Sequence, residues 1–286
     1  MIPPELLFYS GCRVAGQDDA KLAARVWQSE SPVADVIGLH GIISHSGWYE
    51  ASGSKLAAGG MNVHLLDRRG SGLNLSSRGD VDDWRTWIDD VLTYLLTLPV
   101  DRPKILMGIS WGGILATSLV ARHPDVFSGL ALVCPGLFSR KAANATQRAA
   151  LRVASSAGIR KHQVTIPLRD PAWFTNSPKW QSHIADDPLT LRKITIDFAI
   201  NNLSLLNFAL GAPERIAVPV LLMLAETDPI TDNALTRAFV ERMSTSDRTV
   251  IEYPGASHTL EFEDDPSDYF DDLTRWCRTR VEEGRP

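Results

Sequence analysis

Apolar positions along this chain fall into two kinds of run that alternate. Short continuous runs rich in leucine and β-branched residues read as strands apolar on both faces: "ADVIGLH" (34–40), "MNVHLLD" (61–67), "KILMGI" (104–109), "SGLALVC" (128–134), "PVLLMLA" (219–225) and "TVIEYP" (249–254). Between them lie segments with helical spacing. "SGWYEASGSKLAAGG" is a helical stretch ended by glycines, and "VDDWRTWIDDVLTYLLTL" (81–98) repeats Trp84, Ile88, Val91, Leu92 and Leu95 behind Asp82 and Asp83 in a first turn. "GGILATSLVARH" is a helix stopped before Pro124, "NALTRAFVERM" another, and a last helix starts near Asp265, takes Pro266 into its first turn and runs to about Val281. Strands buried on both faces and alternating with helices predict an α/β fold with a mostly parallel central sheet covered by helices on both faces.

Residues 137–213 break the rhythm. They offer no convincing strand, only an alanine- and arginine-rich helix, a loop with prolines and aromatics (168–180), and "LTLRKITIDFAINNLSLLNFAL", apolar on nearly all sides. An insertion of this kind sits over the C-terminal edge of a parallel sheet, where open α/β folds bind ligands. The expected organisation is a core of 1–136 and 214–286 with a helical cap over 137–213, inserted after the sixth core strand. Phe198, Ile200, Leu203, Leu206 and Phe208 are then candidates to enclose an apolar group; a lateral helical layer with no part in binding is the alternative.

The totals narrow the classes. At 44% hydrophobic and 22% charged residues the chain has the composition of a globular protein, and a net charge of -5 provides no field to gather nucleic acid. Cys12, Cys134 and Cys277 form no C-x-x-C pair, so neither a disulfide framework nor a thiolate metal site is indicated, and a reducing cytoplasm is the expected location. No basic n-region precedes Cys12 and no uncharged apolar run approaches the length of a membrane span, so neither a signal peptide nor a transmembrane segment is expected. The N-x-S/T triplets at Asn74, Asn144 and Asn202 read as chance matches. One local charge bias stands out: residues 139–170 carry Arg140, Lys141, Arg148, Arg152, Arg160, Lys161 and Arg169 against Asp170 alone, which suits transient contact with an anionic lipid surface or an ordinary solvated face.

The sharpest signal is "GISWG" (108–112), a G-x-S-x-G with a strand before it and a helix after. So tight a turn leaves no room for flanking side chains, hence glycines, and it projects Ser110 above the sheet edge. The amide of Trp111, opening the helix, can face an oxyanion. A serine needs a base held by an acid. Among the histidines, His64 lies within a strand, His123 at a helix end and His162 and His183 in the insertion. His258, in "YPGASHTLEFE" beyond the last strand, sits on a loop able to reach Ser110. After the preceding strand, "AETDPITD" offers Glu226, Asp228 and Asp232; Asp228 falls in the turn itself, whereas Asp232 is placed to cap the next helix. The loop "LHGIISHSGWY" supplies Gly41 for close backbone approach and the N–H of Ile42 as the second oxyanion donor, with His40 as a hydrogen-bonding support.

With "HGIISHSGWY", "DRRGSGLN", "GISWGG", "ETDPITD" and "GASH" in this order, the chain resembles the α/β-hydrolase family, and within it the monoacylglycerol lipase and lysophospholipase-like branch. The resemblance covers most of 34–135 and 218–262, and the cap only through "DPL" (187–189). It implies Ser110 as nucleophile, Asp228 as acid, His258 as base, the amides of Ile42 and Trp111 as oxyanion donors, and no cofactor or metal. The implied substrate is a carboxylic ester with an apolar acyl group: a monoacylglycerol, a lysophospholipid or a small ester. Three positions depart from the pattern: Ile43 stands where glycine is common, Trp111 replaces a smaller or flexible side chain, and Ser71 replaces histidine in the G-H-G turn. The first two bear on a pocket that includes Gly41 and Ile43. Two rival readings keep the same residues, an amide hydrolase of the proline iminopeptidase type and a non-enzymatic ligand receptor.

Overall fold

The structure is a computed structural model that describes residues 2–11 and 20–283. Its centre is an eight-stranded sheet in the order β1-β2-β4-β3-β5-β6-β9-β10. The strands are β1 (Glu5–Ser10), β2 (Lys21–Trp27), β3 (Ala34–Leu39), β4 (Met61–Leu66), β5 (Lys104–Ile109), β6 (Gly129–Val133), β9 (Val220–Ala225) and β10 (Arg248–Tyr253). From β4 to β10 every pairing is parallel, while β1–β2 and β2–β4 are antiparallel. β3, β5, β6 and β9 are buried at every position, as their unbroken apolar runs demand of strands covered on both faces. Helices α1 (Glu50–Ala58) and α8 (Ser267–Glu283) pack together, as do α2 (Arg85–Leu95) and α3 (Trp111–Arg122). α7 (Asn233–Glu241) joins β9 to β10. Among the described residues, no helix is long and apolar enough to cross a membrane.

Between β6 and β9, which are neighbours in the sheet, the chain leaves for an insertion. It contains α4 (Ala145–Ser156), β7 (Gln163–Thr165), α5 (Pro178–Asp186), β8 (Lys193–Thr195) and α6 (Ile196–Leu210). α6 packs on α3 and on α4. Three expectations need correction here. The insertion is not strandless, since β7 pairs antiparallel with β8, Gln163 opposite Thr195; three-residue strands are too short to show a period of two. The helix expected over 81–98 spans Arg85–Leu95, because Asp83 accepts the Arg85 amide at 2.8 Å and Asn201 of α6 accepts the Trp84 amide at 2.9 Å, which holds 81–84 outside the helix. Asp82 and Asp83 therefore precede the first turn. β1 and β2 have no counterpart in the run pattern; β1 is an exposed edge strand, and Cys12 lies outside the described residues. Cys134 and Cys277 are buried free thiols.

Candidate active site

The end of β5 and the start of α3 make the turn on which Ser110 stands, with φ 51° and ψ -118°, a conformation that L-residues adopt only under constraint. Hydrogen bonds lock it there: the Ser110 amide donates to Val133 O at 2.9 Å, and Ser110 O accepts from Gly113 N and Gly136 N at 2.9 and 2.7 Å. Close approach explains the glycines. A Cβ on Gly112 would lie 2.0 Å from Leu39 O, and one on Gly108 2.7 Å from the Ala116 Cβ. Ser110 is half-buried and lines a cavity, while its neighbours Ile109 and Trp111 are buried.

Loops from the ends of β9 and β10 complete a hydrogen-bonded line. His258 Nδ1 donates to Asp228 Oδ2 at 2.7 Å and its Nε2 lies 2.9 Å from Ser110 Oγ. With the proton on Nδ1, Nε2 is the acceptor for the serine hydroxyl. Asp228 also accepts from the amides of Ile230 and Thr231 at 2.7 and 3.0 Å and from Thr231 Oγ1 at 2.6 Å. Burial pushes this carboxyl up, but the His258 imidazole and the donors from His258, Thr231 and Ile230 outweigh it and hold the pKa below the ordinary aspartate range. The other acids do what their positions suggest. Asp232 caps α7 by accepting the Leu235 amide at 3.0 Å, and Glu226 accepts the Gly255 amide at 2.8 Å.

Facing Ser110 across the sheet edge is the loop after β3. A Cβ on Gly41 would come within 3.3 Å of the Ser110 Cβ, so the backbone itself abuts the serine. The Ile42 amide donates to nothing among the described residues, and the Trp111 amide, first in α3, has no intrahelical acceptor. His40 supports this loop. Its Nδ1 donates to Gly41 O at 2.7 Å and its Nε2 accepts the Arg68 amide at 3.0 Å, and burial pushes its pKa down to about 3, so the ring is neutral.

A cavity of about 720 Å³ opens onto Ser110, walled by Ile42, Trp111, Leu203 and Leu206 together with Leu151 and Ala154 of α4. Among the described residues, Lys141 is its only charged lining residue. Gly41 and Ile43 line a separate small hollow beside Ser110 and His258. Phe198, Ile200 and Phe208, expected in the pocket, are not in its wall. α6 is apolar all round because it serves several surfaces: Ala199, Leu203 and Leu206 share the face turned to the cavity, whereas Phe198 is fully buried against the rings of Trp87 and Trp111 at 4.9 and 6.3 Å. Phe208 packs on Trp84 at 5.2 Å.

The insertion touches each of the three loops. Leu191 N donates to Ile43 O at 2.9 Å, Thr259 N to Phe174 O at 2.8 Å, and Arg140 N to Ile230 O at 2.8 Å. Asp187, of the "DPL" triplet, accepts from His45 Nε2 at 2.9 Å and Trp48 Nε1 at 2.6 Å. Burial raises its pKa, but those donors and the Leu189 amide more than reverse this and hold it well below the usual carboxylate range. Trp111 Nε1 donates to Asn202 of α6 at 2.6 Å. The basic stretch is partly neutralised: Arg140 pairs with Asp232, Arg160 with Asp197, and Lys161 with Asp80 and Asp82. His64 is a core residue, 2.9 Å from Tyr94 OH.

Among the described residues, one group of metal-ligand type is close enough to share an ion: ligand atoms of Cys134, Asp228 and His258 lie within 4.8 Å of one another. Asp228 and His258 already bond each other, and burial, followed by the nearby Asp228 charge, pushes the Cys134 thiol far up, which disfavours the thiolate a metal needs. Arg68, Asn202 and Thr231 are contacts at this site that the motifs did not single out. Arg68 is one of two adjacent arginines after β4, and nothing in the sequence says which of the pair turns inward.

Residues 30–265 match the model of a family described as serine aminopeptidase, S33. The chain is 26% identical to a monoglyceride lipase of Mus musculus over 92% of its own length and 89% of that protein. It is 25% identical to a monoacylglycerol lipase of Mycolicibacterium smegmatis over 92% and 94%. The crystal structure of a monoacylglycerol lipase from Paleococcus ferrophilus superposes with a TM-score of 0.82 at 22% identity, over 91% of this chain and 99% of that one.

Proposed function

Because the chain belongs to the serine aminopeptidase S33 family of α/β-hydrolases, we propose that it is a serine hydrolase of carboxylic esters with an apolar acyl group, acting through an acyl-enzyme on Ser110. The observation that carries this reading is the line Ser110–His258–Asp228, with contacts of 2.9 and 2.7 Å, opening on a largely apolar cavity of about 720 Å³. His258 takes the hydroxyl proton as Ser110 Oγ bonds to the ester carbonyl carbon. The Asp228 carboxylate stabilises the imidazolium, and the amides of Ile42 and Trp111 bind the oxyanion. Collapse of the tetrahedral intermediate expels the alcohol, which receives the proton from His258. Water then attacks the acyl carbonyl with His258 again as base, releasing the acid and Ser110. No step calls for a cofactor.

The relatives named monoglyceride or monoacylglycerol lipase support a monoacylglycerol-type substrate. The family description raises an amide reading, and the cavity argues against it. An aminopeptidase must hold a substrate ammonium, which in an apolar pocket needs a carboxylate, and no aspartate or glutamate lines this cavity among the described residues. Residues 137–213 act as the cap, since α4 and α6 supply the acyl wall through Leu151, Ala154, Leu203 and Leu206. Exposed Arg148 and Arg152 on α4 suit transient contact with an anionic lipid surface, and the unpaired thiols of Cys134 and Cys277 suit a reducing cytoplasm.

The test is a turnover panel of p-nitrophenyl esters of graded acyl length, a monoacylglycerol, a lysophospholipid and aminoacyl anilides. The expected result is kcat/KM rising with acyl length and anilides turned over far more slowly. Preference for anilides would install the amide reading. Ligand binding without turnover of any member would make the protein a receptor.

A further inference from the structure

We propose that Arg68 is a positioning residue of the oxyanion site, one buried cation that orients the Ile42 amide facing the substrate carbonyl and sets a positive field behind it. The inference rests on the ester-hydrolase reading above. Arg68 directly follows the Asp67 that ends the "MNVHLLD" run, and its residue is only 8% exposed. No carboxylate lies within ion-pair distance of its guanidinium among the described residues. Neighbouring Asp67 is spent elsewhere, accepting the amides of Ser46 and Leu73 at 2.7 and 2.9 Å. Burying a cation without an ion-pair partner is costly. Burial accordingly holds its pKa below the ordinary arginine value, at about 9, which still leaves a cation at neutral pH.

What the guanidinium does with its donors explains why it is there. Nη1 donates to Gly41 O at 3.3 Å and Nη2 to Ile42 O at 3.0 Å. The Gly41 carbonyl and the Ile42 N–H belong to one planar trans peptide, so whatever grips the carbonyl aims the N–H to the opposite side. Arg68 and His40 Nδ1 grip that carbonyl together, the latter at 2.7 Å. Bonding a cation to the C=O also polarises the peptide and makes its N–H a stronger donor. On its other side the guanidinium lies 4.4 Å from the centre of the Trp111 ring, whose Nε1 is fixed by Asn202 at 2.6 Å. The Trp111 side chain is thereby held between Arg68 and α6. Arg68 touches no reacting atom and acts through the Gly41–Ile42 peptide.

The test uses the full chain with Arg68→Met, which keeps the aliphatic packing and removes the charge, and Arg68→Lys, which keeps the charge but loses the planar fork of N–H groups set against the two carbonyls. Turnover is measured per active site, titrated with a fluorophosphonate, alongside the inhibition constant of an alkyl trifluoromethyl ketone, which forms a hemiketal oxyanion on the serine. The expected result is kcat lower by about 10²-fold in Arg68→Met and about tenfold in Arg68→Lys at nearly constant KM. The ketone should weaken by the same factors. A residue that only supported the fold would lower the unfolding temperature and leave both values per labelled site unchanged. Unchanged kcat and ketone affinity in Arg68→Lys, or in Arg68→Met where it folds, would overturn the inference. Absence of both labelling and turnover in the unsubstituted protein would instead overturn the reading of Ser110, and the clamp with it.

Discussion

The hydroxyl of Ser110 is held on a strained backbone at φ 51°, and the strain is maintained by hydrogen bonds from neighbouring segments rather than by the turn itself. Its partner Asp228 is oversupplied with donors, which keeps it a carboxylate through the neutral range. That lowered pKa means its contribution to stability is complete above the ordinary aspartate value and is lost as the pH falls through the folded value. Asp228→Asn should turn the imidazole to the tautomer with its proton on Nε2, unable to accept from Ser110. We expect kcat to fall by roughly 10⁴-fold at neutral pH with little change in KM, measured on a p-nitrophenyl ester. Residues of this line are legible in the sequence because strand–turn–helix mechanics dictate glycine–serine–glycine and because turns after parallel strands converge at one edge. Arg68 and Asn202 are not legible, since their contacts depend on which of several polar side chains turns inward.

At the scale of elements, the loops carrying the site are each tied to something else. The His258 loop continues into a short turn whose Glu261 sits on the N-terminus of α1, accepting the amides of Ala51 and Ser52 at 2.8 and 3.1 Å and bonding Ser52 Oγ and, through it, the Tyr269 hydroxyl. Burial outweighs these donors and pushes the carboxyl pKa up to about 7. The folded state therefore keeps a proton that the unfolded chain releases, and stability is greatest below the unfolded value and falls as the pH rises through about 7. Between pH 4.5 and about 7 this should cost the wild type roughly 3 kcal/mol that Glu261→Gln does not lose, read from urea unfolding across that range. Parallel slopes for the two proteins would contradict it. Core strands were legible from their apolar runs because both faces are covered. β1, exposed or half-buried along its length, and the three-residue β7 and β8 were not, because an edge strand without a buried face sets no period and three residues are too few to show one.

For the whole molecule, parallel strands end at one edge and the insertion between β6 and β9 packs on α3 beside it, so the cavity of about 720 Å³ is lined by residues of both the core and the insertion. Alternation of strand and helix made this architecture readable, while the division of α6 into a cavity face and a core face was hidden by uniform apolarity. Since Leu206 lies on the cavity face, Leu206→Trp should cut kcat/KM for a lauroyl ester by about tenfold or more and leave a butyryl ester within about twofold; equal losses for both would place the acyl chain elsewhere. Acyl transfer through Ser110 is checked by comparing ester hydrolysis by the wild type and Ser110→Ala, with peptide mass mapping after a rapid acid quench. An acyl adduct is expected on the peptide containing Ser110 in the wild type, with a loss of turnover of roughly 10⁴-fold or more in a variant that still folds. Hydrolysis by Ser110→Ala at the parental rate would contradict it.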